Sequence, residues 1–294
     1  MLTHMKRIRK VVTWTLFQRS AKDVMVLVGS VEMFMAIAGF SLADILPESV
    51  GWPIRLLVFI LAFLVLTVAA VAISYLRSKD GLRVEVGGND VEVKVGDLFI
   101  EDGLKLIPFD EWFDIQVDDK VISRNSLNGI FIEEYADKPL LGLVVAKQEE
   151  TTLAAPDEVD GRYRYPLGTV KSCGDNYALL AFTHMDNLNR AHLSRGQYEE
   201  CLLNMWGELN RMYAGKRIVL PLLGSGITRF EGGKPTEDEL LQCMLCTLRA
   251  SKQNFKNGIV IVLTRKTADR IRLYEVREYS DGWNQEKREK DGVL

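Results

Sequence analysis

The run 56-LLVFILAFLVLTVAAVAI-73 contains no charged side chain and one hydroxyl, Thr67. A bilayer core of about 30 Å is crossed by roughly 20 apolar helical residues, and lipid admits only helices and closed barrels because backbone groups must satisfy one another there. Residues 54–76 are therefore expected as a transmembrane helix. The preceding segment, 24-VMVLVGSVEMFMAIAGFSLADIL-46, is long enough for a second span although Glu32 lies inside it. An acidic residue near a helix centre costs about 2.5–3.5 kcal/mol on insertion scales, which the surrounding Val, Leu, Met and Phe offset. The connecting 47-PESVGWP-53 carries no Lys or Arg, while the arm 1–23 holds Lys6, Arg7, Arg9, Lys10, Arg19 and Lys22, and Arg77, Lys79 and Arg83 follow the second span. The positive-inside rule then puts both termini and the large C-terminal part in the cytoplasm of a multi-pass inner-membrane protein. The late start and the length of the first apolar segment argue against a cleaved signal peptide. Gly39 and Ala43 have small-xxx-small spacing, and Glu32 at membrane depth seeks a partner; both features predict a homo-oligomer in contact with lipid.

Beyond residue 81 the texture changes to short apolar runs between polar turns. The stretches 83-RVEV-86 and 91-VEVKV-95 alternate and flank Gly87, Gly88, Asn89 and Asp90, which reads as a β-hairpin. Further strands are expected at 139-PLLGLVVAK-147, 177-YALLAF-182, 217-RIVLPL-222 and 258-GIVIVLT-264. Helices are expected over 194–213, where Tyr198, Leu202, Met205, Trp206 and Leu209 recur at helical spacing, and from Thr236, where Glu239 completes a capping box. Continuous apolar strands between amphipathic helices imply a sheet covered on both faces, an α/β sandwich over 81–280. The polar segment 148–165 is expected as a long loop or lid, and 281–294 as a charged, solvated tail. A net charge of −3 and a pI near 5.8 exclude non-specific nucleic-acid binding as the main activity. Cys243 and Cys246 have CxxC spacing, but they sit in an amphipathic helix with no second pair to complete a metal site.

The stretch with chemistry in it is 219-VLPLLGSGITRF-230. Gly224 and Gly226 follow a buried strand, where backbone N–H groups can approach an anion. A Walker A motif fails because Gly233 and Lys234 are followed by Pro235, which has no hydroxyl for magnesium. A dinucleotide fingerprint fails because Arg229 takes the place of the third glycine. What remains is a ligand loop at the carboxyl end of a strand: Ser225 and Thr228 offer hydroxyls, Arg229 a charge and Phe230 a ring. His184 and His192 lie in 184-HMDNLNRAH-192, where Asp186 is a candidate orienter for a histidine base; His4 is remote, and no nucleophile or metal-ligand spacing accompanies them.

The series 96-GDL-98, 166-PLGT-169 before 177-YALLAF-182, and 219-VLPLLGSGITRF-230 resembles the macro-domain family of ADP-ribose-binding modules. The resemblance covers about residues 84–276 and implies a macro-like three-layer α/β/α sandwich with a mixed sheet. It assigns adenine recognition to Asp97, next to Leu98, and the diphosphate to Gly224, Ser225, Gly226, Ile227, Thr228, Arg229 and Phe230. The first loop, 108–135, lacks the family's glycine run; Asn125, Ser126 and Asn128 of 124-RNSLNG-129 are the expected contacts at the distal ribose. That departure weakens a hydrolase reading and suits a receptor. Two spans before such a domain resemble, more narrowly, the membrane effectors of type II Thoeris anti-phage systems. That resemblance implies a functional link to a TIR-domain NAD-consuming enzyme and a signal that is an ADP-ribose derivative, histidine-linked ADP-ribose. It also implies arrest of growth through the membrane, with no catalytic residues, metal or cofactor. The alternative is a membrane-tethered ADP-ribosyl hydrolase.

Overall fold

The computed structural model describes residues 14–37, 47, 51–78, 81–147, 151–273 and 276 of the 294. The chain divides into two compact units, 1–79 and 80–294.

In the first unit, helix α1 spans Trp14–Ile37 and α2 spans Trp52–Ser78, and the two pack together. Among the described residues, Trp52–Ser74 is the one helix long and apolar enough to cross a membrane. At 1.5 Å per residue it reaches roughly 35 Å. Its Leu56, Leu57, Ile60, Val65 and Val68 are exposed, a solvent-incompatible surface that lipid would cover. Helix α1 begins at Trp14, inside the stretch expected as a basic arm, and carries Arg19, Lys22, Asp23 and Glu32. Residues 38–46 of the other expected span, with Gly39 and Ala43, lie outside the described residues, as do 1–13 and the tail 281–294.

The second unit opens with the hairpin β1 (Gly81–Val86) and β2 (Asn89–Val95). Its turn places Gly87 at φ 60° and Gly88 at φ 87°, the left-handed pair of a tight hairpin. Because β1 runs antiparallel to β2, Gly81 stands opposite Lys94, at the end of β2 that leads into Asp97. A short 3₁₀ turn (Leu98–Ile100) precedes β3 (Leu104–Asp110). Helix α3 (Leu127–Ile130) continues into a π-helical turn, Phe131–Tyr135. After α4 (Lys138–Ala146) come β4 (Asp157–Val159), β5 (Arg162–Arg164), β6 (Val170–Cys173), β7 (Tyr177–Met185) and β8 (Ala191–Leu193). The chain ends with α5 (Arg195–Met212), β9 (Ile218–Pro221), β10 (Arg229–Phe230), α6 (Glu237–Ser251), β11 (Ile259–Leu263) and α7 (Arg265–Ala268).

The main sheet has nine strands in the order β1-β2-β11-β9-β3-β7-β8-β10, with β6 also on β7. Strands β2, β11, β9, β3 and β7 are mutually parallel. The hairpin and the β6–β7 and β7–β8 pairs are antiparallel, so the sheet is mixed. Side chains alternate between two cores. Ile218, Leu220, Ile259, Ile261, Ala178 and Leu180 meet α5 and α6, while Val219, Val260, Val262, Leu179 and Ala181 meet Phe131 and Leu141. One sheet with a helical layer on each face is the macro-like α/β/α architecture expected. Both expected helix starts are capping boxes, Ser194 with Gln197 and Thr236 with Glu239.

Two expectations are corrected. Residues 139–147 are not a strand. Asp137 caps a helix there, accepting from the Leu140 N–H at 3.1 Å, and Pro139 fits its first turn, where no N–H is needed. The segment 148–165 is not an irregular loop throughout, because β4 and β5 form a hairpin within it. Arg162 ties that hairpin to the loop after β3, pairing with Asp114 and lying 5.0 Å from the Trp112 ring.

Candidate functional site

The five parallel strands point their carboxyl ends at one edge of the sheet, where ligands of open α/β sheets bind. Asp97 follows β2, Glu111 follows β3, and residues 222–228 follow β9. Strand β2 lies two positions from β9, so Asp97 and the glycine loop start about 10 Å apart at ~4.8 Å per strand. Strand β3 pairs with β9 only at Leu104 and Lys105, which leaves a split between their carboxyl ends.

Gly224 is buried at φ 80°, and a Cβ there would stand 3.1 Å from both Leu240 Cδ2 and Phe230 Cζ. The loop must therefore turn on a residue with no side chain. Gly226 is exposed with nothing within 4 Å of its Cβ direction, so neither space nor conformation demands glycine there. Ser225 Oγ donates to the Leu222 carbonyl at 2.6 Å, closing the turn. Lys234 reaches back to donate to the carbonyls of Ser225, at 2.9 Å, and Gly226. Peptide planarity then turns the N–H groups of Gly226 and Ile227 the opposite way. Among the described residues, the N–H groups of Gly224, Gly226, Ile227 and Thr228 meet no acceptor. Unpaired backbone N–H groups are what an anion-binding loop requires, and the Lys234 ammonium braces the carbonyl side of the same peptides. Lys234 was not singled out for this role in the sequence, because its nine-residue separation from Ser225 is bridged only by the folded turn at Gly232 and Gly233.

Phe230 is buried, edge-on to Tyr198 with ring centroids 5.6 Å apart, so its ring supports the loop from the core and does not face outward. Thr228 is buried, while Ile227 and Arg229 are exposed. Asp97 is exposed; its Oδ1 accepts from the Phe99 N–H at 3.0 Å, which leaves Oδ2 for another donor. Leu98 is buried beneath it. Phe99 stacks on Tyr135 with centroids 4.0 Å apart, tying the Asp97 turn to the segment that carries the expected distal contacts. Ser126 caps α3, accepting from the Gly129 N–H at 3.0 Å, and Asn125 is exposed. The Asn128 side-chain oxygen is buried without a hydrogen-bond partner.

Asp186 is not the partner of His184. Its carboxylate accepts from the N–H groups of Leu188 and Arg190 and pairs with the Arg190 side chain, serving its own turn. Instead His184 Nδ1 lies 2.6 Å from Glu111 Oε2, a contact across 73 residues that no local spacing announces. Nearby, Asp110 accepts from the N–H groups of Trp112 and Asp114. Burial, reinforced by the Asp114 carboxylate, pushes Asp110 from 3.8 up to about 6. The native state thus binds this proton more tightly than the unfolded chain does. Stability should therefore fall as pH rises from about 4 to 6 and level off above, by an amount on the order of 2–3 kcal/mol. Asp110→Asn keeps the accepting oxygen, so urea melts should show it more stable than the parent at pH 7.5 and equal at pH 4. An unchanged pH slope in the variant would contradict this assignment.

Burial pushes the Cys243 thiol up to about 12, so it stays protonated, which fits a packing role for this cysteine.

The chain was compared with known proteins. The family model described as Thoeris protein ThsA, Macro domain, matches residues 91–264. The Thoeris protein ThsA of Bacillus amyloliquefaciens (strain Y2) is 35% identical over 238 residues, covering 76% of this chain and 79% of that protein. Similar solved structures include an Oceanobacillus iheyensis macrodomain mutant with ADPR (16% identity, TM-score 0.44, 70% of this chain and 99% of that one). The same macrodomain with MES bound is also similar (16% identity, TM-score 0.42, 71% and 98%).

Proposed function

Because the chain belongs to the Thoeris ThsA macro-domain family, we propose that it is a membrane-anchored effector of anti-phage immunity whose cytoplasmic domain binds an ADP-ribose derivative. The observation that carries this reading is the set of N–H groups of Gly224, Gly226, Ile227 and Thr228, without a partner among the described residues and backed by Lys234, at the carboxyl end of β9. In this reading the diphosphate sits on that loop, Asp97 Oδ2 takes the adenine amino group, and Asn125, Ser126 and Asn128 border the distal ribose. Histidine-linked ADP-ribose, made by a TIR-domain enzyme, is the proposed signal. Binding favours an assembled state in which the membrane helices cluster in the inner membrane. Ligand can do this only through a preference for that state, and moving a population from 1:99 to 99:1 takes about 5.5 kcal/mol, shared among subunits.

Calorimetric titration of the full-length chain in detergent, with ADP-ribose and with its histidine-linked derivative, tests the reading. Saturable heat is expected, and its absence with both ligands overturns it. Asp97→Asn keeps the Oδ1 acceptor for Phe99 but replaces the second oxygen with a donor. It should weaken binding by roughly 10- to 100-fold, the worth of a charge-assisted hydrogen bond. Wild-type affinity in that variant would remove Asp97 from the site. The His184–Glu111 pair favours one competing reading, a tethered hydrolase. Cleaved product on prolonged incubation would support it over a pure receptor.

A further inference from the structure

We propose that Glu111, His184, His192 and Arg229 form a specificity subsite in which His184 Nε2 accepts a hydrogen bond from a hydroxyl or N–H that the ligand carries beyond its diphosphate. This rests on the reading of 224–228 as the diphosphate cradle.

Strand register places these side chains in a row. His192 stands opposite His184 across β7 and β8, and opposite Arg229 across β8 and β10. Partners directly opposed in a sheet share a face. The two imidazole rings are 5.9 Å apart. Glu111 closes the row on the β3 side, its N–H bound to the Thr183 carbonyl at 2.9 Å.

The pair is built to hold one ring in one orientation. The Glu111 side chain is 7% exposed against 29% for His184, so the carboxylate is the anchored partner. Its Oε1 accepts from the Met185 N–H at 3.3 Å and its Oε2 faces His184 Nδ1. A carboxylate only accepts, so Nδ1 carries a proton, and a ring whose single proton sits there presents Nε2 as an acceptor. Nothing in the chain occupies Nε2 among the described residues. His192 Nδ1 rests 3.4 Å from the Arg190 carbonyl, which steadies the second ring beside it.

The row lies where a ligand would continue. The loop leaves β9 and re-enters the sheet as β10, beyond β8, so it passes the carboxyl ends of β3 and β7, where Glu111 and His184 stand. Asp97 is two strands from β9 on one side, and His184 is two strands from β9 on the other, each about 10 Å away. A ligand anchored at Asp97 and at the loop therefore extends its next group toward His184. Glu111 does not touch that group; it is a positioning residue that acts through the ring.

The test compares two probes on the full-length chain in detergent: ADP, which ends at the diphosphate, and ADP-ribose, which continues past it. The parent chain should prefer ADP-ribose. His184→Ala should shrink that preference at least tenfold while leaving the ADP dissociation constant within twofold, which also reports that the loop is intact. Glu111→Gln, able to donate to Nδ1 and reverse the tautomer, should do the same. Should either variant keep the parent's preference, or lose ADP and ADP-ribose affinity in equal measure, the subsite is refuted. A parent chain that binds neither probe refutes the cradle itself, a different failure from an unmoved ratio.

Discussion

Gly224→Val is expected to weaken ligand binding by more than 100-fold while the domain stays folded. At φ 80° an L-residue is strained by roughly 1–2 kcal/mol. The new Cβ would press on Leu240 and on Phe230, both held in the core, at 3.1 Å. The loop relieves the crowding by moving, and its unpaired N–H groups then lose the placement that the proposed cradle needs. A domain with ordinary stability of about 5–15 kcal/mol survives that cost. Gly226→Ala is the control, because nothing lies within 4 Å of its Cβ direction. The melting temperature should hold in Gly226→Ala, and any affinity it loses reports a ligand pressed against the backbone. Calorimetry and thermal melts read both variants. Parental affinity in Gly224→Val would mean that ligand does not use this loop.

The largest effect on stability is expected from Lys171→Met. Lys171 is fully buried on β6, and its three N–H donors are shared among the carbonyls of Val144 (3.2 Å), Val145 (3.1 Å) and Lys147 (2.7 Å) and the Tyr165 hydroxyl (2.9 Å). It lies 4.2 Å from the centre of the Tyr165 ring and 5.0 Å from that of Phe113. One side chain thus gathers carbonyls at the end of helix α4, where a positive charge also suits the helix dipole. Methionine fills similar volume but strands those oxygens away from water. Breaking a buried charged network costs about 3–5 kcal/mol. For a domain of this size that lowers the melting temperature by roughly 10 °C. A melting temperature within 2 °C of the parent would show that water reaches α4's end.

What could be read from the chain alone followed local rules. The long apolar helix, the hairpin at Gly87–Gly88, the strands around 177–182, 217–222 and 258–264, and the capping box at Thr236 depend on neighbours within a few residues. Helix α4 was also announced, by Asp137 and Pro139, but its apolar 139–147 outweighed that cue; short apolar runs do not separate strand from buried helix. Strand β3 escaped notice because Lys105, Pro108 and Asp110 interrupt its apolar pattern. Its place in the middle of the sheet is dictated by β9 and β7, which come more than 60 residues later. The glycine loop was legible as a candidate site because it fits no simpler motif. The contacts that complete its surroundings, Lys234 to Ser225 and Glu111 to His184, depend on tertiary folding.

The register of the first hairpin has a mechanical consequence. A pull on the chain from its N-terminal side enters this domain at Gly81, whose opposite number, Lys94, is three residues from Asp97. Loss of that first rung would lengthen the leash by about 3.4 Å for each residue released, while the end of β2 stays held by β11, through Val95 opposite Leu263 and the Gly96 N–H on the Leu263 carbonyl at 3.1 Å. The outer strand can therefore give way, one rung at a time, as a spring between the N-terminal helices and a sheet whose inner strands keep their register.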